Sequence, residues 1–125
     1  MRTTEDQLAQ LKQLSLSVNY QGGEYGYLES EFVDVDFLDL PNTKQARFVK
    51  LPPNTGLIEH TDYLHRKLQR YLVGVFTNED STNTVDGDTI KINEGDIVAI
   101  NPRLPHSGTN GNSDRIHLVV DLQTG

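Results

Sequence analysis

His60 and Asp62 stand two residues apart in the stretch Glu59-His60-Thr61-Asp62. On an extended strand, residues at that spacing point to one face, so an imidazole and a carboxylate would project together. A second imidazole, His106, follows 46 positions later (106 − 60), in a proline-bracketed stretch directly after an apolar segment. Two histidines and one carboxylate are the ligand set of the non-haem iron(II) oxygenases, in which three protein donors occupy one face of an octahedron. Three positions then stay open for a bidentate oxo-acid and dioxygen. H-x-D by itself is common in proteins without metals, and a loop histidine such as His106 is usually solvated. The combination carries the reading.

Other side chains keep suggestive company. Arg115 opens the last apolar segment nine residues after His106 (115 − 106). A guanidinium there could receive the distal carboxylate of 2-oxoglutarate as a bidentate pair, which lysine does less well. Arg70, at the start of another apolar run, is a second cation in an acidic chain. A buried dianion needs such compensating charge. The bland alternative for either arginine is a surface ion pair. His117 shares the strand face of Arg115 and reads as a supporting donor or a core histidine rather than a ligand. Asn110 and Ser107 are expected to orient His106 or bridge water to it. His65 is expected in a solvated loop, and Tyr63, Tyr71 and Phe76 as either core or pocket.

Composition removes several function classes. The formal net charge is −7, from 11 Lys and Arg against 18 Asp and Glu. No basic stripe exists beyond His65-Arg66-Lys67, so nucleic acid is not an expected partner. There are no cysteines, which excludes disulfides, thiolate metal sites and cysteine nucleophiles together. Any metal must therefore be bound by His, Asp, Glu or backbone oxygen, which points to iron, manganese, nickel or zinc in a nitrogen and oxygen site. No run of 18 apolar residues is present, so no membrane-spanning helix is expected. The opening MRTTEDQLAQLKQL is polar and amphipathic and does not read as a secretion signal, which fits a cytoplasmic protein.

The chain reads as one domain, 1–125, with a helix and connection over 1–30 and a β core over 31–125. Thr4-Glu5-Asp6-Gln7 has the form of a capping box, and Leu8, Leu11 and Leu14 give a helical stripe to about residue 15. Gln21 to Gly26 reads as a flexible glycine-rich connection. Strands are expected where Val33, Val35 and Phe37 alternate with polar residues, at 47–51, 57–62, 71–76, 89–92 and 97–100, and from 115 to 122. The run 71–76 suggests a strand covered on both faces. Residues 78–88 read as a loop or hairpin tip, and 101–113 as a long irregular segment. Seven or eight short strands with regular turn signals suggest a mainly β double-sheet jelly roll with one N-terminal α-helix. The exposed edges of such a sandwich could support a homodimer.

From residue 50 to 122 the chain resembles the aspartyl/asparaginyl β-hydroxylase family, including its bacterial proline hydroxylase relatives. The resemblance is carried by LPPNTGLIEHTD (51–62), QRYLVGVFTN (69–78) and INEGDIVAINPRLPHSGTNGNSDRIHLVVD (92–121). It implies a cupin-like double-stranded β-helix with His60, Asp62 and His106 as Fe(II) ligands. It also implies that Arg115 holds one carboxylate of the co-substrate 2-oxoglutarate and that Arg70 lies near the other. The implied activity is a dioxygenase that uses dioxygen to hydroxylate a small molecule such as an amino acid, or an Asp, Asn or Pro side chain. Many members carry a histidine two residues after the arginine that matches Arg70, and this chain has Leu72 there. The first 30 residues show no such resemblance.

A broader resemblance is to cupins. His106 to Asn110 fits the H-x3-N ending of their second motif and Gly95-Asp96 its beginning, but H-x-D replaces the H-x-H of the first. Two other functions therefore stay open. A metal-binding cupin holding a sugar or small acid would need the triad but not Arg115. A metal-free jelly roll would merely pair His60 with Asp62.

Overall fold

The computed structural model describes residues 1–124, and Gly125 lies outside them. Helix α1 (Glu5–Ser17) starts on the expected capping box. The Gln7 amide donates to Thr4 Oγ1 at 3.1 Å, and the Thr4 amide donates to the Gln7 side chain at 2.9 Å. That reciprocal pair satisfies two donors a helix start leaves open, and Glu5 and Asp6 complement its positive end. Ten strands follow: β1 (Tyr20–Gly22), β2 (Leu28–Ser30), β3 (Thr43–Leu51), β4 (Gly56–His60), β5 (Leu68–Phe76), β6 (Thr82–Val85), β7 (Asp88–Ile90), β8 (Ile97–Ile100), β9 (His106–Thr109) and β10 (Arg115–Gln123). They form a six-stranded sheet, β1-β2-β3-β10-β5-β8, and a four-stranded sheet, β4-β9-β6-β7. Side chains of both sheets line one cavity, in the mainly β jelly roll with one N-terminal helix that the strand pattern suggests.

The main apolar core is not between the two sheets. Ala46 and Phe48 of β3, Val73 and Val75 of β5, and Ile116, Leu118 and Val120 of β10 cluster with Leu11 of α1 and with Val35 and Leu38. Residues of opposite parity, Arg115, His117 and Val119, line the cavity instead. Strand β10 is thus buried on both faces, apolar toward the helix and largely polar toward the cavity. Full burial of Leu11 stabilises this cover by about 1.5–3 kcal/mol. The N-terminal segment therefore closes the outer face of the sheet that carries the arginines.

Four expectations for the elements are corrected. The alternation at Val33, Val35 and Phe37 forms no strand. Asp34 accepts from the Asp36 amide at 2.9 Å, a 3-10 turn follows at Asp36–Leu38, and Asp39 takes a left-handed φ of 55°. Those local turns divert the chain, while Val35 and Leu38 bury against the sheet. The 1–30 helix-and-connection segment contains β1 and β2, so the β core begins at Tyr20 rather than at residue 31. Residues 78–88 hold β6 and the turn to β7, where Asp86 and Gly87 both have positive φ (50° and 84°), the pair a tight hairpin demands. Finally, 101–113 is not irregular throughout, because it contains β9. His106 stands on that strand, paired with Val85 of β6, and not in a loop.

Candidate metal centre

Strand β4 ends at His60, so Asp62 lies just past the strand rather than on it. Its position is set by a backbone bond, the Asp62 amide donating to Pro102 O at 2.8 Å. His60 and His106 face each other as a cross-strand pair between β4 and β9, across a register shift between Leu57 and His60. That irregularity lets both Leu57 and His60 face the cavity. One donor atom from each of His60, Asp62 and His106 lies within 4.8 Å of the others. His60 Nε2 and His106 Nε2 are 3.5 Å and 3.3 Å from the same atom, Asp62 Oδ2.

The tautomers follow from the other ring nitrogens. His60 Nδ1 meets Ile58 O at 2.5 Å, and His106 Nδ1 meets Leu104 O at 2.9 Å. A carbonyl can only accept, so each Nδ1 carries a proton, and in the neutral ring Nε2 is the nitrogen that presents a lone pair. The two Nε2 atoms and a carboxylate oxygen converge on one point. Such a donor set is complementary to a cation. The donor types and the three-donor count suit a divalent first-row metal with open coordination positions. The backbone carbonyls, and not Asn110 or Ser107, orient the two rings.

A solvent-open cavity adjoins the triad, and all three donors line it. Arg115 lines it, only 4% exposed. Its Nη1 donates to Ser81 Oγ at 3.3 Å and to Thr82 O at 3.2 Å. No carboxylate among the described residues comes within 4 Å of it. Burial pushes its pKa down to about 10, so it remains a cation at neutral pH. A Cβ on Gly108 would lie 3.2 Å from both Nη atoms, so the glycine provides the space where the guanidinium rests. Gly108 is two residues from His106 on β9, about 7 Å along the strand.

Arg70 also lines the cavity, but its guanidinium already has partners. Nε donates to Asp121 Oδ1 at 2.8 Å and Nη2 to Asp121 Oδ2 at 3.0 Å. Its Nη1 lies 3.7 Å from Asp62 Oδ2. Arg70 thus joins a buried carboxylate to the carboxylate of the triad. Burial pushes the Asp121 carboxyl up, yet the hydrogen bonds and charge of Arg70, helped by Gln45 and Arg47, outweigh it and hold it below its usual range. The sequence reading missed Asp121. The available signal was its place on the parity of Arg115 and His117, inside an apolar strand where a carboxylate requires a cation.

His117 lies on that same cavity wall, 3% exposed, and its Nε2 has no hydrogen-bond partner among the described residues. Asn110 is elsewhere in its bonding. Its Nδ2 donates to Leu51 O, Pro52 O and Ser113 O, and its Oδ1 accepts from Asn78, so it fastens loops together. Ser107 lines the cavity, as does Leu72, which makes that patch of wall apolar. The N-terminal segment contributes more than cover. Tyr25, at a positive φ of 61°, stacks its ring on His60 at 3.9 Å and 5°. Tyr27 and Arg47 line the cavity, with Arg47 Nε 3.2 Å from Glu29. None of these was legible from spacing, because they reach the site from separate elements.

Comparisons with known proteins bear on the family and the fold. L-proline cis-4-hydroxylase of Rhizobium meliloti (strain 1021) is 28% identical over 97 residues, covering 75% of this chain. The chain spans only 34% of that relative's length. Among solved structures, a predicted oxalate decarboxylase of Thermotoga maritima superposes with a TM-score of 0.61 at 16% identity, covering 87% of this chain and 96% of that one. The cupin domain of Cnp3 from Schizosaccharomyces pombe gives 0.63 at 13% identity, over 87% and 71% of the two chains. KdgF from Halomonas sp. gives 0.59 at 15%, over 86% and 87%. These likenesses establish the cupin fold and nothing of the chemistry. The family model for aspartyl/asparaginyl β-hydroxylases matches residues 31–124, from before β3 to the end of β10, and the chain belongs to that family.

Proposed function

We propose that the protein is an Fe(II)- and 2-oxoglutarate-dependent dioxygenase that hydroxylates a small molecule, in the first instance an amino acid. One observation carries this reading. A buried guanidinium with no carboxylate partner among the described residues, Arg115, lines the same cavity as three metal-ligand donors. A buried cation facing a cavity is stabilised by an anion, and a cation site beside it calls for a chelating acid. A 2-oxo dicarboxylate has both ends.

His60, Asp62 and His106 would hold the iron, the two imidazoles neutral with Nε2 inward. Bound iron would couple the oxidative decarboxylation of 2-oxoglutarate by dioxygen, to succinate and carbon dioxide, with insertion of one oxygen atom into a substrate C–H bond. Arg115 would seat the distal carboxylate and so place the oxo-acid end toward the triad. Arg70 would steady Asp62 from one side while Asp121 neutralises it from the other. Tyr25 would cover the His60 ring and limit solvent at that ligand. The likeness to a proline hydroxylase supports hydroxylation, and its substrate reaches this chain only as part of the proposal. A metal cupin that holds a sugar or small acid without oxo-acid turnover would use the triad but leave Arg115 without a role.

The test is anaerobic titration of apo-protein with iron(II) and then 2-oxoglutarate, followed in the visible range. A chelate charge-transfer band is expected, absent in Arg115→Ala and His106→Ala. Metal binding with no band would replace the oxygenase reading by the metal-cupin one. No metal binding would overturn both.

A further inference from the structure

Arg115 uses only Nη1 in its bonds to Ser81 and Thr82, and it meets no carboxylate among the described residues. The next residue of the same parity on β10 is His117, about 7 Å along the strand and lining the same cavity. Its cross-strand neighbours are Val49 on β3 and Gly74 on β5, neither of which has a polar side-chain atom. Nothing else among the described residues meets Nε2, which is buried and unpartnered. Leaving a buried imidazole nitrogen unbonded is unfavourable, and an apolar residue of similar volume would avoid that cost. A polar ring without a partner, beside a cation without a counter-ion, is the arrangement of two groups that share one absent anion.

We propose that the imidazole of His117 is the second hydrogen-bond donor to the carboxylate seated on Arg115, and thereby a specificity-determining residue for dicarboxylate oxo-acids. This rests on the oxygenase reading and extends it to the length and charge of the co-substrate. Burial, and then the charge of Arg115, hold the His117 pKa well below the ordinary imidazole value, so the ring is neutral. A neutral ring supplies a donor without a second positive charge. A carboxylate held by Arg115 and His117 together is fixed in orientation, whereas a monocarboxylate oxo-acid, chelated only at the metal, has nothing to place against them.

Calorimetric titration of the iron(II)-loaded protein under anaerobic conditions tests this, with 2-oxoglutarate and pyruvate as probes. His117→Leu removes the donor and keeps an apolar volume, while His117→Gln keeps an amide donor near the position of Nε2. The expected result is 2-oxoglutarate affinity lowered roughly tenfold or more in His117→Leu, within about threefold of wild type in His117→Gln, and pyruvate affinity unchanged. The ligand-free His117→Leu protein should melt no lower than wild type, while the rise in melting temperature caused by 2-oxoglutarate shrinks. A merely structural histidine would show the reverse. Unchanged 2-oxoglutarate affinity in His117→Leu overturns the inference alone, and so does an equal loss for both acids. Wild-type protein that binds no 2-oxoglutarate overturns the oxygenase reading and the inference together. Should His117→Leu fail to fold, His117→Met against His117→Gln makes the same comparison.

Discussion

Replacing Asp121 by asparagine should unsettle the molecule and its metal site together. Asp121 is 1% exposed and Arg70 is 8% exposed, so their paired bonds of 2.8 Å and 3.0 Å are sheltered from solvent. Asparagine offers one acceptor oxygen and turns an NH2 group toward a guanidinium that can only donate. The Arg70 charge is then buried without its carboxylate, a change that costs about 3–5 kcal/mol when one partner of a buried pair is removed. Unfolding entropy of about 2.1 cal/mol/K per residue gives roughly 0.26 kcal/mol/K for a chain of this size, so the melting temperature should fall by about 11–19 °C. The remaining anion for Arg70 is Asp62, 3.7 Å away, and a closer approach to it would draw Asp62 Oδ2 from the two imidazoles. Metal affinity in chelator competition should therefore weaken as well. Removing both charges, in Arg70→Met with Asp121→Leu, should recover most of the stability but not the metal affinity. Thermal melts of the metal-free proteins decide the matter. A drop under about 3 °C in Asp121→Asn, or a double variant less stable than the single, would refute the view that this pair is a buried and coupled one.

Two further predictions concern the cavity wall. The pKa of His117 is depressed in the folded protein, so below pH 6.5 the unfolded chain binds a proton that the native chain refuses. The unfolded state gains protons first, stability is lost as pH falls, and the loss is about 1.4 kcal/mol per pH unit until the native pKa is reached. Denaturant unfolding of the metal-free protein across that range should show a slope that His117→Leu reduces by one proton; equal slopes would contradict the neutral buried ring. Gly108→Ala would put a Cβ 3.2 Å from both Nη atoms of Arg115 and 3.3 Å from Thr82 O. The flexible guanidinium must yield by a few tenths of an ångström while the paired strand stays, so 2-oxoglutarate affinity should fall about three- to tenfold with little change in melting temperature. Calorimetry showing unchanged affinity would remove Gly108 from the anion seat.

Local signals account for a definite part of the molecule. The capping box of α1, the apolar runs that became β3, β5, β8 and β10, and the H-x-D at the end of β4, with Asp62 just past it, are all readable because a period of two or a cap needs only neighbours in sequence. The continuous run at 71–76 announced a strand covered on both faces, and β5 has the cavity on one side and the helix-covered core on the other. Strands β6 and β9 were hidden because Thr82-Asn83-Thr84 and His106-Ser107-Gly108 have low apolar content, and they exist by pairing with each other. Val33, Val35 and Phe37 misled in the opposite direction. Their alternation reflects burial against a sheet, while the Asp34 turn prevents pairing.

By itself the sequence determined the class of the fold, the three donors fit for a metal and the cations fit for an anion, since residue type limits which chemistry is possible at all. Tertiary structure decided which cation is available. Arg70 and Arg115 are equivalent as letters, each opening or leading an apolar strand. Only the register of β10 against β5 places Asp121 opposite Arg70. Only the approach of β6 and β9 sets the Arg115 guanidinium beside Gly108, with no carboxylate among the described residues near it. The same register leaves His117 between Val49 and Gly74, with no partner for Nε2 among the described residues. Whether a buried charge is already neutralised depends on which side chains the fold brings within a few ångströms, and separation along the chain does not encode that distance.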